Sequence, residues 1–290
     1  MISSALATIL TIGLNIVNNA SFYPEGPLFN DKKDLLYVEY ATSKVMIWDG
    51  NKNTLFWEKK GCGPAALIQR SNQNYLVTCY DANSIVELSP TGQLIQEIVK
   101  DDQGESFKGP NDLTMDSDGN IYLSMSGVFD SAAPIEGSIY RLDNQNKLAK
   151  LAEGLHYPNG IAVMNQNLLV NEHLGKKITS FTITNNGSLT KSATLVDLTT
   201  LGLKIDKEDD YTGPDGLKLD DQNRLFVAHY GAGRVLVLSP DGSLLKEIPV
   251  AEAYVTNIAF DADYKRLAVT AAEDAWKAPY PGKVYILKDF

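Results

Sequence analysis

A chain of 290 residues, 44% hydrophobic and 21% charged, can bury a sizeable core and lacks the polar bias of a disordered protein. Its 36 acidic against 26 basic side chains leave a formal charge of −10, which repels phosphate backbones and anionic membranes. No nucleic-acid or membrane partner is expected, since the densest basic pair, Lys32-Lys33, reads as two solvated turn lysines.

The apolar stretch from Ile2 to Val17 has no preceding Lys or Arg, contains Asn15 and is shorter than the ~20 residues a bilayer span needs. It reads as a strand, Ala7 to Ile12, rather than a signal peptide, so the expected location is cytoplasmic, with secretion or a periplasmic location as the alternative. Next comes Pro24-Glu25-Gly26, the first copy of a short element: a proline or small residue, a polar residue, then an apolar strand. It returns at Pro110-Asn111-Asp112, Pro158-Asn159-Gly160 and Pro214-Asp215-Gly216, and more weakly at Pro64-Ala65-Ala66 and Thr256-Asn257-Ile258. The six copies lie 40 to 56 residues apart, the period of a propeller or solenoid. Cys62 and Cys79 fall within the second unit; they fit no zinc spacing and read as buried thiols, with a single bridge between them as the alternative.

After each copy comes a hairpin, clearest in Leu113 to Leu123 and Leu217 to Val227, where Asp, Asn and Gly separate two apolar runs. A third strand follows, as in Gly137 to Leu142 and Gly233 to Leu238, and a turn such as Ser239-Pro240-Asp241-Gly242 leads to a fourth. Leu198 to Tyr211 stretches one interval and reads as a long loop or short helix. The last unit ends after three strands at Lys283 to Leu287, so its fourth is expected from the N-terminal strand, which removes an exposed edge. The expected fold is all-β: one domain over residues 1–290, a six-bladed propeller of four-stranded antiparallel blades closed by the N-terminal strand.

In such a fold the middle residues of the motif converge at one mouth of the central channel. They are Glu25, Ala65, Asn111, Asn159, Asp215 and Asn257, a set of hard oxygen donors without Cys or His. The competing reading takes Asp-Gly, Asn-Gly and Asn-Asp as turn pairs chosen for the backbone. Against it, the polar residue keeps one phase of the repeat, a buried strand follows at once, and Glu25 is not a favoured turn residue. Glu25, Asn159, Asp215 and Asn111 are therefore the candidate metal ligands, for Ca²⁺ ahead of Mg²⁺, Mn²⁺ or Zn²⁺.

At these residues the chain resembles the SMP30/gluconolactonase/LRE family. The resemblance rests on Glu25-Gly26-Pro27, Pro110-Asn111-Asp112, Pro158 to Val163, and Gly213 to Gly216 followed by Leu225 to His229. It implies a propeller with one catalytic cation, hydrolysis of a lactone, Asp215 as general base or nucleophile, and Asn111 on either the metal or the substrate. An organophosphate hydrolase of the diisopropylfluorophosphatase type and a non-catalytic binding propeller are the rival readings. Some sugar-lactonase members carry an arginine two residues before the Asn-Asp pair; here that position is Gly109, with Lys108 beside it. Lys108, His229, His173 and Tyr157 are candidate substrate contacts, and a small ester or lactone is the expected partner of a monomer or small homo-oligomer.

Overall fold

The Asp-rich turns anticipated between paired apolar runs tie themselves off. Asp116 Oδ1 accepts from the N–H of Asp118 at 3.0 Å and of Asn120 at 2.9 Å, and Asp220 Oδ1 does the same for Gln222 and Arg224. Each turn thus supplies its own backbone partners. The computed structural model describes residues 13–205 and 209–290, and these form antiparallel strands with two short 3₁₀ turns. The second turn, Leu198–Thr200, lies in the long connection and is capped by Asp197 Oδ1, which accepts from Thr199 N at 3.0 Å.

Four sheets have four strands each. They are Pro24–Phe29, Leu35–Glu39, Lys44–Trp48 and Asn53–Glu58; Pro64–Gln69, Tyr75–Cys79, Ser84–Leu88 and Leu94–Ile98; Pro110–Met115, Ile121–Met125, Gly137–Leu142 and Leu148–Leu155; and Pro158–Met164, Asn167–Glu172, Lys177–Ile183 and Leu189–Asp197. The remaining eight strands are one sheet: Gly213–Leu219, Leu225–Tyr230, Arg234–Leu238, Leu244–Pro249, Tyr254–Phe260, Leu267–Ala272, Pro281–Lys288 and Gly13–Phe22. Six separate four-stranded blades were expected. The last eight strands instead run together because Tyr230 pairs with Tyr254, a single residue pair linking the fifth and sixth units.

Burial grades from the centre outward. The second strand of each sheet, such as Tyr75–Cys79, is buried on both faces, whereas outer strands such as Leu94–Ile98 are largely exposed. Apolar side chains fill the gaps between consecutive sheets: Leu36 and Val45 meet Leu67 and Val86, Leu76 and Ile85 meet Leu113 and Leu123, and Ile139 meets Ile161 and Val170. Leu169 and Ile178 meet Leu217 and Val227, and Ala268 and Ile286 return to Leu35 and Tyr37. The last sheet therefore packs on the first, and the architecture is an all-β, propeller-like ring. No helix among the described residues is long and apolar enough to cross a membrane.

The strand expected over Ala7 to Ile12 lies outside the described residues. Gly13–Phe22 pairs with Pro281–Lys288, from Gly13 opposite Lys288 to Phe22 opposite Pro281. It buries Val17 and also grips the first sheet, through Ser21 Oγ donating to Glu39 at 2.8 Å and Asn53 Nδ2 donating to the Val17 carbonyl at 2.7 Å. Deleting residues 13–22 should cost roughly 3 kcal/mol or more, from the buried Val17 and Ser21 plus an exposed ladder. Urea unfolding measures this, and a truncated chain as stable as the parent would overturn the closure.

Cys62 and Cys79 are bridged, which corrects their reading as two thiols. Cys79 pairs with Pro64, and the chain preceding Pro64 brings Cys62 to a Cα separation of 4.6 Å. With a sequence separation of 17, the bridge is expected to contribute about 3 kcal/mol by restricting the unfolded chain. Adding a reductant should lower the melting temperature, and a Cys62→Ser, Cys79→Ser double variant should not respond to it.

Candidate active site

Most motif residues sit near the start of an innermost strand, where a side chain of the neighbouring sheet holds their backbone or that of the residue before. Thr78 Oγ1 donates to the Asn111 carbonyl at 2.5 Å, Ser124 Oγ to that of Asn159 at 2.7 Å, and Asn171 Nδ2 to that of Asp215 at 2.7 Å. Thr256 Oγ1 donates to the Pro24 carbonyl at 2.7 Å, so Glu25 is held one residue upstream. The approach is close enough to demand glycine next to the motif. A Cβ on Gly160 would come within 2.3 Å of the Asp215 carbonyl oxygen, and Gly26, at φ +44°, would meet Ala66 Cα at 2.5 Å.

Glu25, Asn111, Asn159 and Asp215 all line one cavity of about 240 Å³, with Ala65 beside them. All four are buried. Glu25 Oε2 accepts from Gly26 N at 2.5 Å and from Asn257 Nδ2 at 3.1 Å. Asn257 thus supports Glu25 rather than lining the cavity. Asn159 Oδ1 and Asp215 Oδ1 have no hydrogen-bond partner. Two buried oxygens left unpaired in the wall of a cavity carry a desolvation cost that a bound cation would offset.

The electrostatics point the same way. Burial pushes the Glu25 carboxyl from 4.5 up to about 8, with Asp112 adding repulsion and Gly26, Asn257 and Lys218 opposing it. Asp215 is raised well above its ordinary value by burial and by the charges of Glu25 and Asp112, with the Asn159 side chain opposing. Two acids held toward their neutral forms by dehydration and by the repulsion of nearby carboxylates make a site whose chemistry fits a cation. Among the described residues no three His, Cys, Asp or Glu side chains converge as ligands; the donor set is two carboxylates and two amides, which suits a hard cation.

Other candidates divide. Tyr157 and His173 line the cavity, His173 with Nε2 2.8 Å from the Tyr211 carbonyl and its imidazole lowered by burial from 6.5 to about 4. Lys108 does not line it: its ammonium is 2.8 Å from Glu136 and its side chain is 65% exposed. His229 does not either, because Tyr230 takes the inward place and strand alternation turns its neighbour away, into a separate cavity of about 80 Å³ with Thr212 and Leu198.

Several residues escaped the sequence reading. Tyr23, Tyr40, Tyr80 and Tyr280 join Tyr157 and Tyr230 around the cavity, with Phe129 and Trp276 at its lip. Tyr40, Tyr80 and Tyr230 share a phase of the repeat, just past the residue that pairs with the motif proline, and alignment on that phase would have found them. Beneath the site Lys218 Nζ lies 3.1 and 3.3 Å from the Asp112 carboxylate oxygens.

An independent comparison decides the lineage, since the family profile for the SMP-30/Gluconolactonase/LRE-like region matches residues 23–273. The chain belongs to this family. It is similar to diisopropyl-fluorophosphatase of Loligo vulgaris, 27% identical with 87% of each chain covered. It is 23% identical to regucalcin of Gallus gallus over 86% of this chain and 83% of that one. Among solved structures, a gluconolactonase from Xanthomonas campestris superposes with a TM-score of 0.75 at 21% identity, covering 95% of this chain and 89% of that one. Every motif residue from Pro24 to Asn257 falls inside the matched region of the SMP-30/Gluconolactonase/LRE-like family.

Proposed function

We propose that this chain is a divalent-cation-dependent hydrolase of a small ester, a lactone first among them. The observation carrying this reading is the pair of unpartnered oxygens, Asn159 Oδ1 and Asp215 Oδ1, in a cavity wall that also holds Glu25. Glu25, Asn159 and Asp215 would hold the cation, Ca²⁺ ahead of Mg²⁺, Mn²⁺ or Zn²⁺, with Asn111 on either cation or substrate. Such an ion, when bound, supplies an electrophile that withdraws charge from an ester carbonyl. Asp215, which lines the cavity beside the place of the cation, would take the proton of an attacking water. The inter-sheet bonds from Thr78, Ser124 and Asn171 hold the motif backbone still, and the surrounding rings limit bulk water.

The likeness to lactone-cleaving relatives supports the lactone, and the Loligo vulgaris relative favours organophosphates as the second reading. In the same spirit we count the eight-stranded sheet as two blades, because its halves touch through one residue pair and pack face to face through Val235 and Val237 against Ile258 and Val269. That count gives six blades in one domain.

Metal analysis of the purified chain, paired with hydrolysis assays on lactones and organophosphates in the presence of Ca²⁺, Mg²⁺, Mn²⁺ or Zn²⁺, tests the proposal. Stoichiometric cation with lactone turnover is the expected result. Cation binding with organophosphate turnover alone favours the second reading, and a chain that binds no divalent cation is not this enzyme.

A further inference from the structure

The wall above the four oxygen donors has a composition of its own. Among the described residues lining the cavity none is Lys or Arg, and most are aromatic. Their hydroxyls are largely committed to each other or to the protein. Tyr157 donates to Tyr80 at 3.2 Å, Tyr80 to the Gly127 carbonyl at 2.6 Å, Tyr23 to Tyr230 at 3.2 Å and Tyr40 to Asp81 at 2.7 Å. What these residues have left to offer a ligand is chiefly ring carbon.

Gly109 shows that this is built in. Its φ is +59°, and a Cβ there would meet the Gly127 carbonyl oxygen at 2.7 Å and Tyr80 Cε2 at 2.9 Å. A side chain reaching from position 109 toward substrate hydroxyls is excluded by the Tyr80 ring, and the neighbouring Lys108 is turned to Glu136. At the lip, Phe129 and Trp276 lie nearly parallel, centroids 6.2 Å apart at 10°, while Phe129 also packs at 4.8 Å on Tyr157. Trp276 is half exposed, with Tyr211 4.9 Å away. A flat apolar group entering the cavity would meet ring faces and edges on most sides. With room for about eight waters at ~30 Å³ each, the cavity suits a one- or two-ring molecule.

A polyhydroxylated ring fares differently. Each hydroxyl desolvated against this wall without a partner lowers affinity roughly tenfold, and among the described side chains above the four floor residues the wall leaves chiefly His173 Nδ1 and the hydroxyls of Tyr230 and Tyr280 uncommitted, too few for a ring bearing a hydroxyl at most of its carbons. We infer that the substrate is an uncharged lactone or ester bearing an aromatic or alkyl group, and not a sugar lactone. This rests on reading the site as an ester hydrolase and names the class of ester it takes.

The test compares dihydrocoumarin with glucono-δ-lactone on the full chain with Ca²⁺. The expected kcat/KM for dihydrocoumarin is at least about tenfold higher, the effect of about one unpaired hydroxyl. Trp276→Ala and Phe129→Ala should each raise KM for dihydrocoumarin several-fold with Ca²⁺ affinity by calorimetry unchanged, which also certifies that the variants fold. Equal or reversed preference overturns the inference and leaves the hydrolase reading standing. Variants that bind Ca²⁺ normally yet keep the parent KM for dihydrocoumarin overturn it too. If neither lactone is hydrolysed with any divalent cation, both readings fall together.

Discussion

Asp215→Asn is expected to lower kcat/KM at least a thousandfold, within the span a positioned acid or base contributes, while the fold survives. The substitution keeps the shape and one oxygen of the side chain but removes its charge and its basicity. Because Glu25 and Asp112 both repel the Asp215 carboxylate, the cation-free variant should be no less stable than the parent, and more stable where those acids ionise. Ca²⁺ affinity should fall without vanishing, since Glu25, Asn111 and Asn159 remain. Kinetics, calorimetry and thermal unfolding on the same preparation separate these effects; hydrolysis within tenfold of the parent would remove Asp215 from the chemistry.

The stabilisation conferred by a divalent cation should grow with pH. Glu25 has an ordinary value of 4.5 and sits at about 8 in the fold, so between these values the folded chain keeps a proton that the unfolded chain has released. Stability without cation is therefore lost as the pH rises through that window. Asp215, raised from 3.8, acts in the same sense. The two buried histidines oppose this. His173 at about 4 and His229 at about 3 make the unfolded chain the better proton acceptor below 6.5, so their contribution is complete above 6.5 and is lost as the pH falls. They are common to both preparations and cancel in the difference between cation-loaded and chelated protein. Each tenfold change in proton affinity is worth about 1.4 kcal/mol, so the gain should increase by a few kcal/mol across the window. Melting curves with Ca²⁺ or with a chelator measure it. A gain independent of pH would mean that the cation does not neutralise Glu25 and Asp215.

The floor of the site was legible in the sequence because it obeys the repeat: one polar residue per unit, at one phase, with an apolar strand behind it. Glu25, Asn111, Asn159 and Asp215 share a cavity for that reason. The walls were legible only in part, as at Tyr157 and His173, and the causes of the rest differ. Tyr40, Tyr80 and Tyr230 need the hairpin register, not the motif, to be seen as a ring. Phe129 and Trp276 arrive from the connections between second and third strands, 126–136 and 273–280, which are much longer than their counterparts in the other units and so carry no matching position. Lys218 and Asp112 meet from 106 residues apart, and although Asp112 belongs to the motif nothing in the repeat pairs it with Lys218. His229 was misplaced by proximity: sitting beside an inward residue on a strand means facing away from it. Lys108 failed for the opposite reason, since a long side chain next to the site found Glu136 outside it.

The bonds from Thr78, Ser124, Asn171 and Thr256 to the carbonyls of the next unit have a bearing on how this protein can change. No unit holds its floor residue unaided, because each floor residue or its neighbour is anchored by a side chain from next door. The outer strands take no part in that anchoring. Sequence at the rim, as around the turn at 49–52, where a Cβ on Gly50 would have nothing within 4 Å, is therefore free to drift, lengthen or accept a grafted peptide, whereas exchanging a whole unit for a foreign one would break the anchors on both of its sides. Variation in this architecture should accumulate from the edge inward, and recombination should succeed only in pairs of matched neighbours.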